Sequence, residues 1–217
     1  MGKGTDTRER ILEIAECSVL AKGFEATSIE EIIAEAGITK SGFFYHFRDK
    51  NELAREMVRR FIDENNALFD DLFGRGKQLS DDPLEAFLIG LKLLAETLRD
   101  VKSKHPGCLI ASICYQERLF DREVTEMVRQ VTVDWNARFR GYLDDIADLH
   151  GLRPGLSTSD LAEALCCLVD GGILMAKIVN DAGKLERQIL TYRQLVRMAF
   201  EPAAAVRRVN YSAIAAE

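Results

Sequence analysis

A helical repeat of apolar side chains runs through almost the whole of this 217-residue chain and limits what it can fold into. Between 84 and 101, for example, Phe87, Leu91, Leu94 and Leu98 recur every three or four residues, which puts them on one face of a helix. No stretch alternates apolar and polar residues as a half-buried strand does, and no internal repeat is present. Only 4 prolines interrupt the pattern. The sequence therefore predicts an all-α fold of about nine helices without a sheet.

Short capping and glycine signals divide this pattern into separate helices. Ser28 followed by Glu31 forms a capping box, and Gly37 is positioned to end the helix that the box begins. Gly74 and Gly76 predict that the fourth helix ends just before them. The predicted helices cover 5–22, 28–37, 39 onward, 49–73, 84–101, 108–120, 121 onward, 157–180 and 185–200, with a turn at 105–107 and a loosely held tail after Pro202.

The bulk composition favours a soluble cytoplasmic protein. No apolar run approaches the roughly 20 residues that a membrane-spanning helix needs, and the first residues lack an apolar signal region. The cysteines are odd in number and lack paired CxxC spacing, which predicts reduced thiols rather than disulfides or a metal site. Neither a cofactor nor a bound metal is predicted. The five cysteines are Cys17, Cys108, Cys114, Cys166 and Cys167.

The charge distribution is uneven, which matters because a net charge of -6 by itself argues against nucleic-acid binding. Residues 37–60 contain six basic and three acidic side chains, so this segment carries +3 and the rest of the chain carries −9. The asymmetry is modest. It supports DNA binding only in combination with a motif in the same segment.

The stretch 37–53 contains such a motif. A third helix that begins at Thr39 puts Phe43 and Phe47 one turn apart, on the side that packs against the protein. Only a short turn containing a glycine separates this helix from the second one. Two short helices joined in this way are typical of a helix-turn-helix.

The outer face of the third helix combines a cation, a hydroxyl and aromatic rings. Lys40, Ser41, Phe44 and Tyr45 are predicted to point away from the protein. Aromatic edges and a phenol suit thymine methyl groups and phosphate oxygens in a DNA major groove. Lys50 adds a cation beside the N-terminus of the fourth helix, and both attract a phosphate. The alternative, a helical hairpin with these side chains in its core, is disfavoured because four nearly consecutive rings cannot all face inward.

This segment closely resembles the recognition helix of TetR-family regulators. Their pattern of glycine, aliphatic, Ser or Thr, small residues, aromatics, His or Tyr, Phe and a following Lys matches GITKSGFFYHFRDK at 37–50. The resemblance covers residues 5 to 60 by motif, including the link KGFEATS at 22–28, and extends over the rest of the chain by length and helix order. It implies an N-terminal three-helix DNA-binding domain and a C-terminal helical domain that binds a ligand and dimerises.

Carried over residue by residue, the resemblance implies a DNA-binding domain over 1–52 and a ligand-binding and dimerisation domain over 53–217. Gly42 lets the backbone come close to the duplex. Phe44 stands where the family more often has Tyr, so a hydroxyl is missing at that position. His46 is also compatible with a purely structural histidine. The implied DNA-binding residues are Thr27, Ser28, Thr39, Lys40, Ser41, Gly42, Phe44, Tyr45, His46 and Lys50.

Dimerisation is expected because two symmetric recognition helices must lie roughly 34 to 36 Å apart on DNA. In the family the last two helices form a four-helix interface with those of the partner copy. Small residues on the eighth helix would allow such an approach, although burial within one protomer is the alternative. The expected interface residues are Ala164, Gly171, Gly172, Leu185, Ile189 and Tyr192.

A ligand cavity is expected among helices 4 to 8, where aromatic side chains are frequent, although plain core packing also explains them. Glu117, Asp134 and Asp170 lie near these apolar stripes, and a cationic or hydroxylated ligand would need such a partner. Ligand binding would tilt the fourth helix and change the spacing of the reading helices. The expected lining residues are Phe61, Phe69, Phe87, Leu91, Tyr115, Glu117, Trp135, Phe139, Tyr142 and Met175.

The sequence thus predicts a dimeric, ligand-released repressor of a palindromic operator, with double-stranded DNA and a small molecule as partners and no membrane. An enzyme is disfavoured because the sequence lacks HExxH, GxSxG, GxxxxGK[ST] and GxGxxG, and because His46, His105 and His150 lack metal-ligand spacing. Two alternatives stay open. One is a thiol-based redox-sensing regulator, and the other is a helical ligand-binding module without DNA binding.

Overall fold

The computed structural model describes residues 3–101 and 107–200, with side chains for 6–99 and 107–200. Over these ranges the fold consists of nine α-helices and one 3₁₀ turn, without a strand, which confirms the predicted all-α class. His105 and Pro106 of the predicted turn, and the tail beyond Phe200, lie outside the described residues. The elements are α1 (Lys3–Lys22), α2 (Ile29–Ala36), α3 (Lys40–His46), α4 (Lys50–Leu79), α5 (Pro83–Val101), α6 (Leu109–Cys114), the 3₁₀ turn (Glu117–Leu119), α7 (Arg122–His150), α8 (Thr158–Ile178) and α9 (Lys184–Phe200).

The turn between α2 and α3 follows from local sequence signals. Ser28 caps α2 by accepting a hydrogen bond from the backbone N–H of Glu31, whose side chain in turn accepts one from the Ser28 N–H. Gly37 ends the helix in the left-handed region at φ 63°, a conformation that costs glycine little. The backbone N–H of Ile38 then reaches back to the Ile33 carbonyl at 3.2 Å. These contacts fix the direction in which α3 leaves α2.

Helix α4 is longer than predicted, and the reason lies in its contact with α5. The sequence suggested an end near Phe73, but the helix continues through Gly74 and Gly76 to Leu79. Gly76 is buried, and a Cβ atom there would lie 2.2 Å from the carbonyl oxygen of Ala86 in α5. Gly76 is therefore a point of close helix approach rather than a helix end.

Helix α6 is shorter than predicted. It ends at Cys114 instead of continuing to Phe120, and a 3₁₀ turn follows. Between them the side chain of Gln116 turns back to the α1–α2 link, where its Oε1 accepts a hydrogen bond from the Phe24 backbone N–H at 2.9 Å. The predicted helix is thus interrupted at Gln116, whose side chain satisfies the backbone N–H of Phe24 in the α1–α2 link.

Two hydrophobic clusters divide the molecule. The first joins α1–α3, the first turns of α4, α6 and the first half of α7; the second joins the rest of α4 and α7 with α5, α8 and α9. Trp135 of α7 packs against both. Helices α4 and α7 run through both clusters and therefore connect them.

The described residues contain neither a membrane-spanning helix nor a cluster of metal ligands. None of the helices there combines the length and apolar character required to cross a bilayer. Likewise, in the described ranges no three His, Cys, Asp or Glu side chains are arranged to hold a metal ion.

Candidate DNA interface and ligand cavity

Thr39 starts the candidate reading helix. Its Oγ1 accepts a hydrogen bond from the backbone N–H of Gly42 at 3.1 Å and lies 3.0 Å from Oγ of Ser41. A Cβ at Gly42 would lie 3.3 Å from that same oxygen, which is a tight contact. Glycine at this position therefore keeps the capping hydroxyl of Thr39 in place.

The two faces of α3 differ as the sequence predicts. Phe43 and Phe47 are fully buried, with ring centroids 5.7 Å apart. Phe44 and Tyr45 point outward and are 42% and 83% exposed. The predicted division of the helix into a packing face and an outer face is confirmed.

The remaining outward residues of α3 complete this face. Lys40 and Ser41 are exposed, and Lys40 forms no ion pair with the described residues. His46 is half-buried, and its ring lies edge-on to the Tyr45 ring with centroids 5.0 Å apart. A cation, a hydroxyl, a phenol and two rings thus share one surface, which we call the reading face: Lys40, Ser41, Phe44, Tyr45 and His46.

Thr27 does not belong to this surface, contrary to the sequence-based expectation. Its side chain is only 1% exposed, because its hydroxyl donates to the Gly23 carbonyl at 2.9 Å and contacts the Ser18 hydroxyl at 3.1 Å. The residue closes the turn after α1. Its neighbour Ser28 is partly exposed, but its hydroxyl already caps α2.

Lys50 is also held differently from what the sequence suggested. Its Nζ donates to the Phe24 carbonyl oxygen at 2.5 Å and lies 4.3 Å from the centroid of the Phe24 ring. Partial burial lowers the pKa of this lysine. In this conformation the ammonium group joins α4 to the α1–α2 link instead of pointing toward a phosphate.

A cavity of about 500 Å³ lies beside α1. Four of the predicted lining residues, Phe61, Phe69, Trp135 and Phe139, do line it. Side chains of α1, α5, α6, α8 and the start of α9 complete its walls. The cavity therefore contacts both hydrophobic clusters.

The other predicted lining residues lie elsewhere. Phe87 and Tyr142 border a separate, much smaller pocket of about 30 Å³, because their rings stack around Phe73. Leu91 is fully buried in the second cluster and is not among the lining residues of either pocket. The rest of the predicted set is on the surface, because the helix positions of these side chains face outward: Tyr115, Glu117 and Met175.

Acidic groups dominate the charged lining of the cavity. Glu16 of α1, Glu64 of α4 and Asp170 of α8 face it, while Lys177 supplies the one basic side chain among the described lining residues. Burial raises the pKa of Glu16, and burial also raises that of Asp170 even though the cavity leaves its side chain accessible. Asp134, by contrast, is exposed and accepts a hydrogen bond from Gln130.

Glu16 was missed by sequence reasoning, which searched helices 4 to 8 for the cavity. The residue lies on α1, four positions after Leu12, on the face that Ile11, Leu12 and Ala15 bury. A carboxylate on the apolar side of an amphipathic helix is unusual. This position on α1 was the signal in the sequence that Glu16 lines a cavity, one wall of which is formed by a helix of the DNA-binding domain.

The thiols in the cavity are not activated. Burial raises the pKa of Cys108 to about 12 and that of Cys166 to about 11, with Asp170 adding to both shifts. Because the thiolate is the reactive form, these two groups are poor nucleophiles at neutral pH. The redox-sensing alternative gains no support from them.

Three residues expected at a dimer interface, Leu185, Ile189 and Tyr192, are buried inside the protomer instead. Their side of α9 packs against the second cluster, and the Tyr192 hydroxyl donates to the Leu161 carbonyl at 2.6 Å. Gly172 is buried as well, since a Cβ there would lie 2.7 Å from Leu185. Only two members of the expected set, Ala164 and Gly171, remain exposed.

The outward sides of α8 and α9 carry a different set of apolar residues. Leu174 and Ile178 follow Gly171 along one stripe of α8, and Leu195 and Met198 lie one turn apart on α9. All four of these larger side chains are exposed. We call this surface the outer apolar face: Gly171, Leu174, Met175, Ile178, Leu195 and Met198.

One segment connects the cavity with the link between α1 and α2. Cys108 and Ile110, at the start of α6, line the cavity. Farther along the same segment, Gln116 accepts the hydrogen bond from Phe24, and the ring of Phe120 lies 4.3 Å from that of Phe24. Residues 108–120 therefore contact both the cavity and the link that leads into the helix-turn-helix.

Comparison with known proteins agrees with this geometry. Residues 11–57 match the family model described as "Bacterial regulatory proteins, tetR family". The HTH-type transcriptional regulator YxaF of Bacillus subtilis is 25% identical over 184 residues, which span 81% of this chain and 87% of YxaF. The HTH-type transcriptional repressor KstR2 of Mycolicibacterium smegmatis is 32% identical over 81 residues, 36% of either chain. The HTH-type transcriptional repressor DhaR of a Mycobacterium species is 23% identical over 188 residues, 86% of this chain and 90% of DhaR.

Solved structures show the same fold over most of the chain. A TetR-family transcriptional regulator from Agrobacterium tumefaciens superposes with a TM-score of 0.76 at 20% identity, covering 91% of this chain and 100% of that one. A TetR transcriptional regulator from Chloroflexus aurantiacus gives a TM-score of 0.75 at 22% identity, covering 92% and 98%. At these identities the likeness establishes the fold, an N-terminal helix-turn-helix domain followed by a C-terminal helical domain. Residues 11–57 thus carry the helix-turn-helix of the TetR family, and the chain as a whole has the fold of TetR-family transcriptional regulators, which are not enzymes.

Proposed function

We propose that this regulator is a homodimeric, cytoplasmic repressor that binds a palindromic operator through α3 and leaves it when a small molecule enters the cavity. The observation that carries the proposal is the two-sided α3, in which Phe43 and Phe47 are fully buried while Tyr45 is 83% exposed. A large exposed phenol on a seven-residue helix has no packing role in the protomer. It fits the shape and chemistry of a major groove.

For DNA contact we propose the reading face together with the hydroxyls of Ser28 and Thr39, which lie at helix N-termini where phosphates bind well. Gly42 supplies close backbone approach. Lys50 reaches a phosphate only if its bond to the Phe24 carbonyl opens, so its contact depends on binding. We keep the boundary between the DNA-binding domain (1–52) and the effector domain (53–217) in the first turn of α4, which then acts as a lever between them.

For dimerisation we propose the outer apolar face. Leu174, Ile178, Leu195 and Met198 are all exposed, and groups of exposed apolar side chains on a protein surface typically mark an interface. The open space around Gly171 allows a partner helix to approach closely. A two-fold pairing through α8 and α9 provides the second reading face that a palindromic operator requires.

For the response to a ligand we propose two routes from the cavity to the reading face. Phe61, Glu64 and Phe69 of α4 line the cavity, so a bound molecule displaces the helix that begins directly after α3. The segment 108–120 offers the second route through the Gln116–Phe24 hydrogen bond. Either route couples the two sites only if the ligand prefers one arrangement of the reading helices over the other.

A gel-shift assay tests the proposal on the intergenic DNA beside the protein's own gene, at two salt concentrations. We expect specific binding whose affinity falls steeply with salt, because phosphate contacts release counterions. Tyr45→Ala is expected to weaken binding by about tenfold or more, the cost of a lost groove contact. Tyr115→Ala is the matched control, since this tyrosine is 80% exposed and lies at the end of α6, away from α3.

Weak binding that is indifferent both to salt and to Tyr45→Ala would reject DNA reading by α3 and favour a helical ligand-binding module. Equal losses in Tyr45→Ala and Tyr115→Ala would show that the effect is not specific to the reading face. Circular dichroism of both variants establishes that they are folded to the same extent.

A further inference from the structure

Three of the four charged side chains that line the cavity are acidic. Glu16, Glu64 and Asp170 come from three different helices, and Lys177, near the end of α8, is the only cation lining it among the described residues. Most of the remaining wall is apolar. An apolar cavity with converging carboxylates discriminates against anions and favours ligands that carry positive charge.

Glu16 is the most unusual of these groups. It is 4% exposed, it lines the cavity, and its carboxylate makes no hydrogen bond within the described part of the chain. Arg60 attracts it electrostatically, but the Arg60 side chain donates to Glu64 and Glu13. Burial without a hydrogen bond is costly for a carboxylate, and the raised pKa of Glu16 reflects that cost. A donor from a ligand would remove it.

Asp170 provides a second acidic group in the same cavity. It belongs to α8, lines the cavity and lies near the Cys108 thiol. A thiol is a poor partner for a carboxylate, so Asp170 also retains acceptor capacity toward the cavity. The two carboxylates are thus offered by the DNA-binding unit on one side and by the effector domain on the other.

Aromatic rings surround the space between these helices. Trp135 lies edge-on to Phe69 with centroids 5.7 Å apart, and its centroid is 6.2 Å from that of Phe61. The indole is held in place because its Nε1 donates to Asn66 Oδ1 at 3.0 Å. The faces of such rings attract cations and accept apolar groups at the same time.

From these observations we infer that the cavity binds a lipophilic organic cation, with Glu16 and Asp170 as its counter-charges and Phe61, Phe69 and Trp135 against its apolar body. The inference rests on the proposed role of the cavity as effector site. It adds a direct link to the DNA-binding domain (1–52), because Glu16 belongs to α1 and a ligand that binds its carboxylate contacts a helix of that domain.

Two ions of the same shape and opposite charge test the inference. Tetraphenylphosphonium and tetraphenylborate are titrated into the full-length protein while the fluorescence of Trp135, the single tryptophan of the chain, is recorded. We expect saturable quenching by the phosphonium and affinity lower by about tenfold or more for the borate. Equal affinities would overturn the inference.

Isosteric variants assign the charge recognition to particular residues. Glu16→Gln and Asp170→Asn keep the shape of the cavity and remove one charge each, and each is expected to weaken phosphonium binding by about tenfold. Asp6→Asn on α1 and Glu163→Gln on α8 are the matched controls, since both side chains are exposed and neither lines the cavity. If Glu16→Gln binds the phosphonium as tightly as the parent protein, Glu16 serves only Arg60 and the assignment is refuted.

A neutral dye separates failure of the charge inference from failure of the effector site. N-phenyl-1-naphthylamine is expected to bind the cavity, to bind less tightly to Ile173→Phe, which fills part of the lining, and to be displaced by the phosphonium. Dye binding without any preference for phosphonium over borate refutes the cation class and leaves the effector site standing. Absence of dye binding overturns both proposals.

Discussion

Gly74 and Gly76 are two positions apart on α4, but their surroundings differ. A Cβ at Gly76 would lie 2.2 Å from the Ala86 carbonyl oxygen and 3.4 Å from the Gly90 backbone nitrogen, both on α5. A Cβ at Gly74 would meet no atom within 4 Å. We therefore expect Gly76→Ala to destabilise the protein and Gly74→Ala to stabilise it.

The size of the effect follows from the same distances. An alanine in place of a helical glycine contributes about 0.5–1 kcal/mol through the unfolded state and helix propensity, and this gain applies to both variants. At Gly76 the new contact is about 1.2 Å shorter than an ordinary van der Waals distance. The atom it meets belongs to the backbone, so α4 and α5 must separate. Overpacking of this kind costs about 1–3 kcal/mol, and because the propensity gain cancels, that is the expected difference in unfolding free energy between the two variants.

Urea unfolding followed by circular dichroism measures this difference. Both variants and the parent protein are compared at one protein concentration, because association of subunits contributes to apparent stability. The midpoint of Gly74→Ala is expected above that of the parent and the midpoint of Gly76→Ala below it. Equal midpoints for the two variants would refute the claim that glycine is required at position 76 for helix packing.

Three further predictions concern the effector domain and its links. Asp82 caps α5 by accepting a hydrogen bond from the Glu85 backbone N–H, and this bond, with a smaller contribution from His150, lowers the pKa of Asp82. Asp82→Ala should lower the free energy of unfolding by about 1 kcal/mol at pH 7. A carboxylate whose pKa is lower in the folded than in the unfolded state stabilises the fold above its unfolded pKa, and this stabilisation is lost as the pH falls through its folded pKa. The difference in urea midpoint between the parent protein and Asp82→Ala should therefore disappear below about pH 3.8. Leu174→Glu combined with Leu195→Glu should convert the dimer to monomers in light scattering, and a persisting dimer would reject the outer apolar face. Gln116→Leu removes the acceptor for the Phe24 N–H, so phosphonium should release DNA less effectively in gel shifts while DNA affinity stays within about threefold.

Sequence reasoning succeeded where the determining contacts are local. The capping box of Ser28 and Glu31, the cap of α3 by Thr39 and the positive φ of Gly37 all involve residues within a few positions of each other. Their geometry is nearly independent of the rest of the fold. The division of α3 into a buried and an exposed face follows in the same way, because its period is fixed once the helix starts at a known residue.

Sequence reasoning failed where a distant partner decides. Gly76 looks like a helix end because glycine is a poor helix former, yet its conformation is set by the backbone of α5. Lys50 resembles a DNA contact, but its ammonium group is bound to the carbonyl of Phe24, 26 positions earlier in the chain. No local sequence pattern reveals which distant carbonyl a lysine side chain will bind.

The cavity shows the same limit on a larger scale. Phe61 and Trp135 were correctly predicted to line it, since both lie on stripes of helices that cross in the effector domain. Glu16 was not considered because it precedes the predicted domain boundary by more than thirty residues of sequence. Only the tertiary arrangement brings α1 to the wall of a cavity that otherwise belongs to the second half of the chain.

Helix α9 explains why an apolar pattern alone assigns the wrong side to an interface. Its strongest stripe contains Ile189 and Tyr192, and this stripe is buried within the protomer because it completes the second cluster. The weaker apolar positions Leu195 and Met198 lie outside that cluster and are exposed. A helix satisfies the core of its own subunit with its most apolar face, since that burial accompanies folding itself. Residues available for a partner are therefore the apolar ones left over, and in this chain they, not the predicted stripe, should determine whether the two reading faces are held at a fixed distance.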